Sequence, residues 1–87
     1  MIHVRFRAAL WRHAGTGGWH FVTVPPRCAP THHLAWGRAP VTATANGVTW
    51  KTSTWRGRDG RVLLPLPKRV RGDLRAGDRV TVSLTFA

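Results

Sequence analysis

Apolar and polar residues alternate from the first positions of the chain. Ile2, Val4, Phe6, Ala8 and Leu10 interleave with His3, Arg5, Arg7, Ala9 and Trp11. A period of two sends successive side chains to opposite faces of an extended chain, so this stretch predicts one strand with a buried face. His13 to Gly18 contains three glycines and predicts a turn, and Trp19 to Val24 predicts the returning strand of a hairpin. Pro25-Pro26 ends it. Arg27 to Gly37 has no period and reads as a loop with at most one helical turn around Arg27–Ala29. Alternation resumes at Val41, Ala43 and Ala45 and stops at Asn46-Gly47, the preferred pair for a type I′ turn because both positions need positive φ. It returns with Val48, Trp50, Thr52 and Thr54 on one face and Thr49, Lys51, Ser53 and Trp55 on the other.

Arg56 to Gly60 is a second turn, and Val62 to Leu66 a short strand. Pro67 is suited to a first helical position, and a short helix is predicted near residues 67–74, with Val70 and Leu74 turned to the core and Asp73 four residues beyond Arg69 for an ion pair. Arg75 to Asp78 turns the chain, with Asp78 as a turn residue. Val80, Val82, Leu84 and Phe86 then alternate with Arg79, Thr81, Ser83 and Thr85 in a last strand. Two segments repeat one phrase: Gly18-Trp-His-Phe-Val-Thr-Val-Pro25 and Gly60-Arg-Val-Leu-Leu-Pro-Leu-Pro67, 42 positions apart. Repetition constrains architecture strongly. The expectation is an all-β, six-stranded, pseudo-twofold barrel forming one domain over 1–87, from pseudo-repeats at about 2–47 and 48–87. Closure into a barrel also removes exposed strand edges.

Charge changes the picture. Twelve Arg and two Lys face three acids, Asp59, Asp73 and Asp78, for a net charge of +11. Such a field attracts polyanions, acidic surfaces or acidic partners, although a general preference for Arg over Lys accounts for part of the composition. Five tryptophans are many for 87 residues; buried ones build core, and exposed ones offer stacking faces. Cys28 is the only cysteine, which excludes an intramolecular disulfide. The N-terminus lacks the apolar core of a signal peptide, and no apolar run approaches a membrane span. A cytoplasmic protein without membrane association is expected.

The segments Trp50-Lys-Thr-Ser-Thr54, Gly60 to Arg71 and Ala76-Gly-Asp-Arg-Val-Thr-Val82, with the earlier Gly18–Pro25 phrase and Asn46-Gly47, carry a family resemblance. In order and spacing, over nearly the whole chain, they resemble the domain of unknown function 1905 family. The resemblance implies a double-split β-barrel, similar to the one that two chains of AbrB or MazE type, DNA-binding regulators and antitoxins, assemble by dimerisation. It implies no settled activity and no catalytic residues. The chain departs from even repetition after Pro25, where Pro, His and Arg crowd a segment whose C-terminal counterpart is helical. The N-terminal copy also lacks the Gly-Asp turn.

Candidate chemistry is thin. Cys28, His32 and His33 share a loop, but they fall short of the four ligands of a structural zinc site, and the adjacent histidines diverge in an extended chain. No metal or cofactor is expected. Cys28 with a histidine would make a nucleophile and base, but no acid lies near in sequence to orient that base; Ser53 and Ser83 lie in strands, and three acids leave little room for paired carboxylates. Gly15-Thr-Gly-Gly18 lacks the lysine and strand–helix setting of a phosphate loop. An enzyme is therefore the least supported class.

The basic clusters carry most. Arg56, Arg58 and Arg61 flank a turn beside Trp55; Lys68, Arg69, Arg71 and Arg75 crowd the predicted helix; Arg5 and Arg7 share a face of the first strand. The first expectation is a non-enzymatic module for an anionic partner, nucleic acid foremost. Arg56, Arg58, Arg61, Lys68, Arg69 and Arg71 would meet phosphates and Trp55 would stack on a base. A rival expectation is a small-molecule pocket lined by Trp11, Trp19, His20 and Trp36. A third is a protein-interaction module, monomeric or paired as a homodimer through an uncovered strand edge.

Overall fold

The N-terminal alternation does not make one strand. In a computed structural model, which describes residues 1–87, it divides at Leu10 into β1 (Ile2–Ala9) and β2 (Trp11–Arg12). Five more strands follow: β3 (His20–Val24), β4 (Arg38–Ala45), β5 (Val48–Arg56), β6 (Val62–Pro65) and β7 (Arg79–Phe86). The all-β expectation holds, with seven strands in place of six. They form one antiparallel sheet in the order β1-β7-β4-β5-β6-β3-β2, curled into a half-barrel. β1 and β2 lie at opposite ends of that order, yet one residue joins them. The strand divides because Leu10 pairs with neither neighbouring strand. Its N–H donates to Asp78 O at 2.8 Å and its carbonyl accepts from Gly77 N–H at 2.7 Å, so the turn before β7 holds the joint.

β1 pairs with β7 along its whole length, from Ile2 opposite Phe86 to Ala9 opposite Arg79. β4 and β5 pair from Arg38–Trp55 to Ala45–Val48 around the Asn46-Gly47 turn, where φ is 50° and 77°. β5 then meets β6 only at its end, through Trp55–Leu63 and Arg56–Val62. β3 crosses β6 with Val22 opposite Leu64.

The inward positions of these strands make the core. Phe6, Leu10, Val22, Val24, Val41, Trp50, Val62, Leu64, Val82, Leu84 and Phe86 are all buried there. Burying each such side chain contributes about 1.5–3 kcal/mol. Cys28, on a 3₁₀ turn at Pro26–Cys28, is one of them, with its Sγ 4.0 Å from Arg5 O. Of the five tryptophans, Trp50 alone is buried.

The helix is shorter than the 67–74 expected. α1 spans Lys68–Arg71, and Gly72 at φ 53° ends it. Asp73 therefore leaves the helical spacing that a pair with Arg69 requires, and the single ion pair joins Asp59 to Arg61 at 2.7 Å. Val70 is buried and Leu74 packs against the core as expected. Asp78 acts as a turn residue, its carboxylate accepting from Arg75 N–H at 2.8 Å. No helix is long and apolar enough to cross a membrane.

Candidate nucleic-acid interface

Alternation that turns Val22 and Val24 inward turns Phe21 and Thr23 outward, and the same rule applies to β2, β5 and β6. On the outer face Trp11 stands opposite Phe21, and Phe21 opposite Pro65. In the next row Thr23 stands opposite Leu63, and Leu63 opposite Trp55. Four strands thus build two rows of mostly apolar side chains on the surface. Trp19 and His13, from the hairpin arm before β3, close one side.

The result is an open aromatic groove of about 450 Å³, lined by Trp11, His13, Trp19, Phe21, Trp55, Leu63 and Pro65. Its rings are mutually ordered. Trp11 and Phe21 have centroids 5.2 Å apart, Trp19 lies nearly parallel to Phe21 at 6.3 Å, and His13 meets Phe21 edge-on at 6.5 Å. Trp11 Nε1 donates to Thr23 Oγ1 at 3.1 Å, which fixes the indole plane. Trp19 remains 59% exposed and Trp55 40%, so both present faces to solvent.

Cations stand at both flanks. The Arg61 guanidinium lies 5.9 Å from the Trp11 ring centroid, within cation–π range. Arg61 also pairs with Asp59, which accepts from both its Nε at 2.7 Å and its backbone N–H at 3.0 Å. These hydrogen bonds, backbone first, hold the Asp59 carboxyl below its ordinary range. Arg61 and Arg56 line a depression with Pro26, Pro30 and Val62, while Arg58 is exposed at the tip of the β5–β6 turn. On the other flank, Lys68 and Arg71 of α1 line a cavity of about 370 Å³ whose wall includes Trp19. Arg69 is exposed on α1 and outside that cavity.

The structure therefore joins Trp55, named with the phosphate-binding set, to Trp11 and Trp19, named with the small-molecule set. Arg61, with Arg56 in the adjoining depression, lies on one flank of the groove and Lys68 and Arg71 on the other, while Arg58 and Arg69 are exposed and line none of these spaces. His20 is absent from the groove: it shares the inward face of β3 with Val22, and its Nδ1 contacts Gly18 O and Arg71. Trp36 is also outside the groove. It is 90% exposed at φ 68° in the 3₁₀ turn before β4. The following Gly37 lies so close to β5 that a Cβ there would sit 2.6 Å from Arg56 O.

His13, Phe21, Leu63 and Pro65 escaped sequence reasoning. Phe21 sits in an apolar run whose facing is ambiguous until Val22 and Val24 are known to be inward, and His13 borders a glycine turn. His33, in the loop before β4, is held below its ordinary range by burial and then by the charge of Arg56.

The model of the family described as Domain of unknown function (DUF1905) matches residues 6–84 of this chain. The chain belongs to that family. No curated protein matches it. Membership in DUF1905 spans β1 to β7, so the groove and both its flanks lie inside the family's domain.

Proposed function

We propose that this DUF1905 protein is a non-enzymatic module that binds nucleic acid, with single strands laid across the outer face of the sheet. The observation that carries the reading is the ordered aromatic groove bordered by Arg61 on one side and by Lys68 and Arg71 on the other. Bases stack on sheet-borne aromatics, and this is sequence-tolerant because every base has a π face. Phosphates pair with Lys and Arg, and the net charge of +11 draws polyanions toward the surface. Arg56, Arg58, Arg61, Lys68, Arg69 and Arg71 supply that charge, and Trp11, Trp19, Phe21 and Trp55 the stacking faces.

Repetition supports the same picture. Val22 and Leu64, opposite each other on β3 and β6, are 42 positions apart, the offset of the two sequence phrases. Phe21 and Leu63 share that offset, and Trp11 and Trp55 hold corresponding places at the pairings with β3 and β6. We read the chain as two related halves in a double-split barrel of the kind that AbrB-like chains make by dimerisation. The groove then straddles the pseudo-dyad, with Trp11 of the first half and Trp55 of the second in equivalent places and Trp19 added on the first-half side. The stretch from Trp11 to Phe21 is two residues longer than that from Trp55 to Leu63, so the excess that breaks the repetition lies in the turn between β2 and β3.

The apolar floor of the groove favours one second reading, a small aromatic ligand. Anisotropy titrations of a labelled oligothymidylate against salt separate the two. Nucleic-acid binding gives a linear log–log salt dependence and loses about 1–3 kcal/mol on Trp55→Ala, with the fold intact because Trp55 is exposed. Absence of binding at low salt ends the nucleic-acid reading. Thermal stabilisation by small aromatic compounds, indifferent to Arg61→Ala, establishes the other.

A further inference from the structure

The cavity beside α1 has a composition that the groove lacks. Its walls are Gly17, Gly18, Trp19 and His20 on one side and Lys68 and Arg71 on the other, and no acid lines it. Arg71 is poorly served there. Its Nε is buried without a hydrogen-bond partner, and the only carboxylate engaged in an ion pair is Asp59 with Arg61. Arg71 Nη1 meets His20 Nδ1, which also lies 2.7 Å from Gly18 O. One ring nitrogen cannot satisfy both. Donating to the carbonyl requires the proton that accepting from Arg71 excludes. A guanidinium whose buried Nε–H no protein atom accepts and whose second contact is shared, beside a lysine and with no acid in the cavity wall, has the chemistry to receive an anion.

We infer that this cavity seats one phosphate of a nucleic-acid strand whose neighbouring base stacks on Trp19 in the aromatic groove; this rests on the proposed nucleic-acid function. Trp19 lines both spaces, so base and phosphate of one nucleotide reach their partners from a single position. The opposite flank differs. Residues 42 positions away, Asp59, Gly60 and Arg61 against Val24 and Pro26, enclose the corresponding depression, but there Asp59 already neutralises Arg61. The phosphate therefore has one strong seat, on the α1 side.

The test compares wild-type protein with Lys68→Ala, Lys68→Arg, Arg71→Gln and, as a control on the same helix, Arg69→Ala. Each is titrated with labelled oligothymidylate over a range of salt, with and without a 5′-phosphate. Loss of one phosphate contact flattens the log–log salt slope by about 0.7 for a single strand. Lys68→Ala is expected to flatten it by that amount and to weaken binding several-fold. Arg69→Ala is expected to flatten it less, and Lys68→Arg to restore it. A penalty confined to the 5′-phosphorylated strand assigns the seat to a terminal phosphate, and one shared by both strands to an internal phosphodiester. Equal slopes for Lys68→Ala and Arg69→Ala, with wild-type binding intact, overturn the seat and leave the nucleic-acid function standing. No wild-type binding at low salt overturns both. Lys68 is exposed, so its variants read the seat even where Arg71→Gln fails to fold.

Discussion

Asn46 holds α1 in place from the far side of the β4–β5 turn, and replacing it tests how the basic helix is presented. Its Nδ2 donates to Val70 O at 2.9 Å and to Arg71 O at 3.0 Å. Val70 O has no backbone donor, Arg71 O also accepts from Leu74 N–H at 2.9 Å, and so short a helix cannot organise its end alone. Asn46→Gly keeps a residue suited to φ 50° and removes both bonds. At about 0.5–1.5 kcal/mol net for each bond, the loss of two is about 2 kcal/mol. For a domain of this size, 1 kcal/mol moves the unfolding midpoint by about 4–8 °C, so a fall of roughly 8–16 °C is expected. Asn46→Asp also tolerates the turn, but it sets a carboxylate against two carbonyl oxygens and is expected to fall further. Thermal and urea unfolding followed by circular dichroism give the order wild type, Gly, Asp. Turn preference alone ranks all three residues as suitable. Coincident midpoints for the three proteins would refute the claim that Asn46 anchors α1.

Three further outcomes follow from particular residues. Leu64 is fully buried at the β3–β6 crossing, so Leu64→Ala is expected to cost about 2–5 kcal/mol, read as a lowered urea midpoint. His33 is held below its ordinary value of 6.5 when folded, so the unfolded chain takes up its proton first as pH falls. Its contribution is complete above pH 6.5 and is lost as pH drops below it until the folded value is reached. His33→Gln should flatten the fall in urea midpoint across that window, and an unchanged slope counts against the assignment. Asp59→Asn frees Arg61 from its ion pair and is expected to strengthen oligonucleotide binding and steepen its salt dependence; weaker binding would show that Asp59 positions Arg61 instead.

Most of the sheet was legible because its signals are local. The Asn46-Gly47 turn, the alternation of β7 and the proline stops after β3 and β6 depend only on neighbours in sequence. The division at Leu10 was not. Inward and outward positions keep their phase through Ala8, Leu10 and Trp11, and the partners that draw Leu10 out of the strand, Gly77 and Asp78, are more than 60 residues away. The groove was half legible for a related reason. The tryptophans were visible as unusual, but Trp11, Phe21 and Pro65 form a row only through the register of β2, β3 and β6, which no single segment encodes. Helix length failed more simply. Periodicity extended it to Leu74, while Gly72 at positive φ stops it first.

The clasp at Leu10 sets an order of events during synthesis. β1 leaves the ribosome well before its partner β7 is made, with Ile2 opposite Phe86. Until then one edge-forming segment must wait in solution without its ladder, and closure over nearly the full chain length favours slow folding. Waiting strands recruit one another. Arg5 and Arg7, exposed on β1, repel a second nascent copy during that interval, so two charges with no partner in the finished fold act before it exists.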